Sequence, residues 1–135
     1  MFPDIQIDGM DISETAVEKA KKTFPSVKFF CGNITDFSYS LGKRGEYDLI
    51  ILSEILWYIL NDLDTIIKNI KNNFKRKFLL INQTFYKDGE QKYGRDFFTT
   101  PEEMISYFDM ECIALTVSHV HGDKSYGCHT SLRVK

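Results

Sequence analysis

The sequence predicts an open α/β fold of three layers, with a mostly parallel sheet and an antiparallel hairpin at its carboxyl end. Three observations predict it. Short β-type runs at residues 5–13, 27–31, 47–53 and 78–82 are separated by stretches of helical periodicity, the order expected of βα units around a parallel sheet. The run 47–53 is almost unbroken apolar, as in a central parallel strand covered by helices on both faces. Residues 112–121 and 127–134 are β-rich and joined by the turn-forming Gly122-Asp123-Lys124-Ser125-Tyr126, a spacing that favours a hairpin.

Each element has a local cause. In residues 5–13, alternating apolar positions run into a lone acid, Asp11, and then into Ser13, a good helix N-cap. Ligands of open α/β sheets lie outside the carboxyl ends of the parallel strands, which places Asp11 at a binding crevice. Val17, Ala20 and Phe24 share one helical face, while Glu14 and Glu18 lead and Lys19, Lys21 and Lys22 trail, in accord with the helix dipole. Pro25-Ser26 stops this helix, and residues 27–31, β-branched and aromatic, form a second strand that closes at Gly32-Asn33. Residues 34–46 read as a connecting loop with room for a helical turn over 37–41.

After the strand 47–53, Ile59, Leu63, Ile66, Ile67, Ile70 and Phe74 recur at helical spacing behind Asn61, a candidate cap. Lys68, Lys71 and Lys75 crowd the carboxyl end of that helix as a solvated face. A buried strand follows at 78–82. Residues 83–98 are polar, contain glycine and exceed an ordinary connection, so they read as a lid or a poorly ordered segment in which Tyr86, Tyr93 and Arg95 are candidates to cover a ligand. Thr100-Pro101-Glu102-Glu103 carries the capping-box pattern and starts a short helix to Phe108.

Composition narrows the function classes. At 135 residues, 43% hydrophobic and 27% charged, the chain has room for one compact domain. With 17 Lys and Arg against 19 Asp and Glu there is no basic surplus to drive nucleic-acid binding. Three cysteines without CxxC spacing suit thiols in a reducing, cytoplasmic setting. No signal-peptide pattern opens the chain, and no apolar run approaches the roughly 20 residues that span a bilayer, so neither export nor membrane insertion is expected. His119, His121, His129 and Cys128 invite a metal-site reading, but alternation along a hairpin explains His119 and His121, and no metal is predicted.

This order of elements resembles the class I (Rossmann-like) S-adenosylmethionine-dependent methyltransferases from their second strand onward. The likeness runs nearly end to end. It is carried by Gly9-Met10-Asp11-Ile12-Ser13 with helix 16–22, by Gly32-Asn33-Ile34, by the segment from Tyr47 through Ser53, Glu54, Ile55 and Leu56 to Trp57 and Tyr58, and by the closing hairpin. The segment 47–58 most resembles the small-molecule branch that includes nodulation protein S-like N-methyltransferases.

The resemblance implies a Rossmann-like methyltransferase fold and S-adenosylmethionine as cofactor. It gives Asp11 the two ribose hydroxyls, a bidentate task suited to a carboxylate, and Ile12 the adenine face. Asn33 stands where the family usually places an aspartate that reads the adenine amino group, and Ile34 supplies a backbone N–H and an apolar wall. Ser53 and Glu54, with the aromatics Trp57 and Tyr58, fall where the methionine end of the cofactor meets the methyl acceptor; an aromatic face near a sulfonium is favourable. Glu54 is the candidate to orient or deprotonate the acceptor. Tyr86 joins Trp57 and Tyr58 as a candidate substrate contact.

One departure from the family is large. Its first strand and glycine-rich loop, which cradle the amino and carboxylate groups of the cofactor, do not precede Ile5. In the family sheet that strand lies between those at 5–13 and 47–53. The sequence leaves open a fragment of a longer enzyme, a partner segment or second copy that completes the sheet, or direct pairing of the two neighbours.

The expected reaction is direct displacement: an acceptor nitrogen or oxygen attacks the activated methyl in line with the departing sulfur, and positioning supplies most of the rate. The rival readings are a non-catalytic fragment or interaction module, and a nicotinamide-dinucleotide domain, in which an acid at the end of the second strand also meets an adenine ribose. The closing hairpin and the segment 53–58 argue against the last.

Overall fold

The structure, a computed structural model, describes residues 5–36, 47–87, 89–119 and 122–135. The chain divides into two compact units, Met1–Lys43 and Arg44–Lys135, each with its own sheet.

In the first unit, strand β1 (Asp8–Asp11) leads through helix α1 (Glu14–Thr23) into strand β2 (Lys28–Cys31). The strands are parallel, with Asp8 opposite Lys28 and Asp11 opposite Cys31. β1 starts later than the alternation suggests: Ile5 and Ile7 are exposed and precede it. A Cβ on Gly9 would stand 2.5 Å from the Phe29 ring, so glycine lets that ring cross the strand. Ser13 caps α1 as expected, its side chain accepting from the Ala16 N–H at 3.2 Å. Val17 is buried, but Phe24 is exposed, because the helix ends at Thr23 and Phe24 is its C-cap. The helical turn expected over 37–41 lies outside the described residues.

The second unit holds β3 (Leu49–Ser53), 3-10 turns at Leu56–Tyr58 and Leu60–Asp62, α2 (Leu63–Asn73), β4 (Phe78–Tyr86), α3 (Pro101–Phe108), β5 (Glu111–His119) and β6 (Ser125–Arg133). The sheet order is β3-β4-β6-β5, with β3 parallel to β4 and β6 antiparallel to both β4 and β5. The closing hairpin is therefore present, with an irregularity between Cys112 and Ala114.

Three expectations need correction. The run 47–53 is not a central strand covered on both faces: among the described residues β3 pairs only with β4, and Leu49 and Ile51 are 46% and 56% exposed. An apolar run reports strand propensity without reporting its neighbours. Residues 83–86 are not part of a loop, because β4 continues to Tyr86 opposite Ser125. The polar Asn82, Gln83 and Thr84 still alternate between faces, and nine pairs of β4 with β6 outweigh the weak strand preference of asparagine. Asn61 is no helix cap; it sits in a 3-10 turn, and α2 begins after Asp62, which makes no side-chain capping bond.

Register sorts the sheet into two faces. Leu52, Leu79, Ile81, Gln83, Phe85, Cys128, Thr130 and Leu132 lie on one face, and all are buried. With them are buried Leu63, Ile66, Ile67 and Ile70 of α2 and Met104 and Phe108 of α3. The other face carries Leu49, Ile51, Ser53, Phe78, Leu80, Asn82, Thr84, Tyr86, Gly127, His129, Thr116 and Ser118, and most of it is open to solvent. Thr100 caps α3 by accepting from the Glu103 N–H at 3.2 Å, as the capping-box pattern predicts.

Candidate functional site

The predicted cofactor residues of the first unit gather at the carboxyl ends of β1 and β2. Asp11 closes β1, and one of its carboxylate oxygens, Oδ1, accepts the Ser13 N–H at 2.8 Å. This local bond orients the carboxylate at the strand-to-helix turn while the residue stays exposed. Ile12 is 71% exposed, an apolar side chain adjacent in sequence to that carboxylate. Its carbonyl receives the Cys31 thiol at 3.5 Å, which ties the ends of the two strands together. Asn33 follows β2; its Oδ1 accepts the Thr35 N–H at 3.0 Å, so the amide NH2 is the group left facing outward. Ile34 is half-buried beside it.

The predicted residues of the second unit follow β3. Ser53 ends the strand opposite Asn82, whose Nδ2 donates to Ser53 Oγ at 3.3 Å. Glu54 then adopts φ 51, a left-handed conformation rare for a residue with a side chain. The turn is held by β4 at every step. The Glu54 N–H bonds the Asn82 carbonyl at 2.8 Å, and the Glu54 carboxylate accepts from Thr84 N at 3.1 Å, Thr84 Oγ1 at 3.0 Å and Gln83 Nε2 at 3.2 Å. Gln83, fully buried, uses its Oε1 to accept the buried Leu56 N–H at 3.1 Å.

Trp57 Nε1 completes the set by donating to the Thr84 carbonyl at 3.0 Å. The indole packs at 5.5 Å from both the Phe85 and the Phe98 ring centroids. Trp57 is thus the wall of an aromatic cluster. Tyr58, by contrast, is 86% exposed, and Tyr86 is partly exposed on the open face of the sheet, two residues beyond Thr84.

The structure brings Ser53, Glu54 and Trp57 together through Asn82, Gln83 and Thr84, three residues that sequence reasoning assigned to a strand end and a loop. A signal was present: after the apolar 78–81 the polarity changes while Phe85 keeps the period of two, so the strand persists with a different job for its side chains. Cys128 and His129 fall on opposite faces of β6. Burial raises the Cys128 thiol above its ordinary pKa, with the Thr130 hydroxyl 3.2 Å away opposing the shift, so it stays a neutral core group.

A family model described as a methyltransferase domain matches residues 1–126. The chain belongs to this methyltransferase family. It is also 30% identical over 105 residues to a malonyl-[acyl-carrier protein] O-methyltransferase of Bacillus anthracis, covering 76% of this chain but 37% of that protein. The fold is that of solved methyltransferases. The N-methyltransferase NodS from Bradyrhizobium japonicum WM9 superposes with a TM-score of 0.72 at 14% identity, over 96% of this chain and 73% of that one. The magnesium protoporphyrin IX methyltransferase ChlM from Synechocystis PCC 6803, solved with bound SAM, gives 0.63 at 16% identity, over 96% and 60%. The methyltransferase resemblance and the Rossmann-like fold read from the sequence both hold.

Proposed function

We propose that this chain takes part in S-adenosylmethionine-dependent methyl transfer to a small-molecule nitrogen or oxygen acceptor. The observation that carries the reading is Asp11: an exposed carboxylate at the carboxyl end of a parallel strand, oriented through one oxygen and free to accept hydroxyl donors through the other. The residues of the first unit fit an adenosine. Asp11 takes the ribose diol, the exposed Ile12 lies against the purine, and Ile34 adds a wall. Asn33, with its oxygen engaged by Thr35, offers its NH2 to a ring nitrogen rather than accepting from the amino group. When bound, the cofactor supplies an activated methyl group on a sulfonium.

In the second unit Ser53 is the candidate contact for the methionine end, and Tyr58 and Tyr86 are the exposed aromatics available to an acceptor, with Trp57 behind them. Glu54 orients the acceptor. Its carboxylate already accepts three hydrogen bonds, so it acts as a fixed negative charge more readily than as a shuttle for protons. The exposed Leu49 and Ile51 on β3 favour a partner segment or a second copy of the chain that covers this strand and completes the sheet.

Calorimetric titration with S-adenosylhomocysteine tests the reading. Micromolar binding that falls at least tenfold in Asp11→Ala, with unchanged urea stability, is the expected result. Absence of binding to the 135-residue chain refutes the proposal for the chain alone and leaves the interaction-module reading.

A further inference from the structure

The open face of the second unit's sheet carries a polar cluster outside the adenosine residues. Register sets out two rows across the strands. One runs from Ser53 through Asn82 and His129 to Thr116, and the next runs from Thr84 through Gly127 to Ser118. Glu54 extends the second row beyond the end of β3, because its carboxylate takes the Thr84 N–H and Thr84 Oγ1. Gly127 leaves that row without a side chain in the middle. His129 leans into the gap: its Nε2 lies 4.0 Å from where a Cβ on Gly127 would stand. The imidazole therefore overlies Gly127, which is directly opposite Thr84, and among the described residues it makes no hydrogen bond of its own. The rows begin at the carboxyl end of β3, which meets Asn82 of β4, and carboxyl ends of parallel strands are where α/β sheets bind ligands.

We infer that His129 is a catalytic base of this chain, and that the notch above Gly127, between the imidazole and the Thr84–Glu54 pair, seats the methyl acceptor. This rests on the methyl-transfer reading and names its acceptor class: an amine or alcohol that still carries its proton. The acceptor's lone pair forms the new bond to the methyl carbon, the carbon–sulfur pair leaves with sulfur, and the N–H or O–H proton passes to His129 Nε2. Histidine suits this because it takes up and gives up a proton near neutral pH. Glu54, held by β4, offers its carboxylate to the N–H or O–H of the acceptor and so helps to orient it. The other ionisable groups on this face are Tyr86 on β4, Arg133 on β6 and Glu111 on β5, and Arg133 and Glu111 are engaged with each other at 3.6 Å.

The test is NMR of the histidine imidazoles in the full chain without cofactor. Glu54→Gln should move the His129 imidazole resonances, because the carboxylate held at Thr84 borders the same notch. His119, on the opposite face, should not move. Ser118→Asp, at an exposed edge position opposite Gly127, should likewise move the His129 resonances, and it keeps the test alive if Glu54→Gln unfolds the turn. Ethanolamine, which carries both an amine and a hydroxyl, should shift the His129 imidazole saturably at millimolar concentration and leave His119 still.

No response of His129 to either substitution, or equal responses at His119 and His129, overturns the proposed site, as does the absence of a saturable ethanolamine shift. If S-adenosylhomocysteine does not bind while His129 responds as expected, the methyl-transfer reading fails and the catalytic role of His129 with it, and only an amine-binding notch stands.

Discussion

Gln83→Leu is the sharpest test of how β4 builds the turn after β3. Gln83 is fully buried, and it is the acceptor for the buried Leu56 N–H and a donor to the Glu54 carboxylate. Leucine fills nearly the same volume but leaves the Leu56 N–H without a partner, at a cost of about 1–3 kcal/mol. Loss of one charge-assisted bond to Glu54 adds about 1–2 kcal/mol, reduced because exposed Glu54 can recruit water. The extra apolar contact returns part of this, for a net loss of about 2–3 kcal/mol. Trp57, the one tryptophan of the chain, donates to Thr84 inside the same network, so its fluorescence reports the region directly. In urea, with a slope near 2 kcal/mol per molar, the midpoint should drop by roughly 1–1.5 M. Gln83→Glu should also destabilise at neutral pH, because it sets a second carboxylate against Glu54, and should recover as acid protonates one of the pair. A Gln83→Leu midpoint within about 0.25 M of wild type, equal to about 0.5 kcal/mol, refutes the reasoning.

Four further outcomes follow from other parts of the molecule. Gly94 has φ 71, and a Cβ there would stand 2.8 Å from Leu60 and 3.1 Å from the Trp57 ring, so Gly94→Ala should cost about 2–3 kcal/mol by urea unfolding. The same change at Gly89, with φ 78 and nothing within 4 Å, should cost only the backbone strain of about 1 kcal/mol. Asp109, the left-handed C-cap of α3, is held below its ordinary carboxyl pKa by hydrogen bonds from Lys135 and Lys71. A depressed folded pKa gives stability that is present above the unfolded value and lost as pH falls through the folded one. Asp109→Asn should therefore flatten the acid limb of a urea-midpoint profile. Burial and the hydrogen bond to Asp64 raise the Tyr107 phenol, a shift that stabilises below the ordinary phenol range and is lost as pH rises through the raised value. Tyr107→Phe should flatten the alkaline limb, read in the same way.

Periodicity and capping made most of the elements legible. Ser13 before Val17, the box at Thr100 to Glu103 and the alternation in the closing hairpin each act over a few residues, and a sequence displays interactions of that range directly. Asp11 was legible for the same reason, since a lone acid between a strand and an N-cap needs no tertiary information to be noticed. The adjustments at Asn61, Phe24 and 83–86 came from packing. A 3-10 entry displaced the start of α2, the C-cap turned Phe24 outward, and pairing with β6 carried β4 through a polar stretch. Gln83 and His129 were out of reach of local reading, because each gains its meaning from strands far away in sequence.

The exposed side of β3 ties these observations together. Leu49 and Ile51 have the composition of a strand interior and the exposure of a surface, whereas Ile50 and Leu52, one residue away, are half-buried and buried. That asymmetry leaves apolar surface open on one face of the strand. Burying the exposed half of each of these two side chains is worth about 1.5–3 kcal/mol in total at ordinary transfer values, a contribution toward a covering segment. The same face continues into Ser53, Asn82, Thr84 and His129, so whatever covers the apolar end of β3 would also bound the polar end. A Leu49→Lys, Ile51→Lys pair should weaken acceptor binding more than S-adenosylhomocysteine binding, because, of the proposed cofactor contacts, Ser53 shares this face while Asp11, Ile12, Asn33 and Ile34 belong to the other unit.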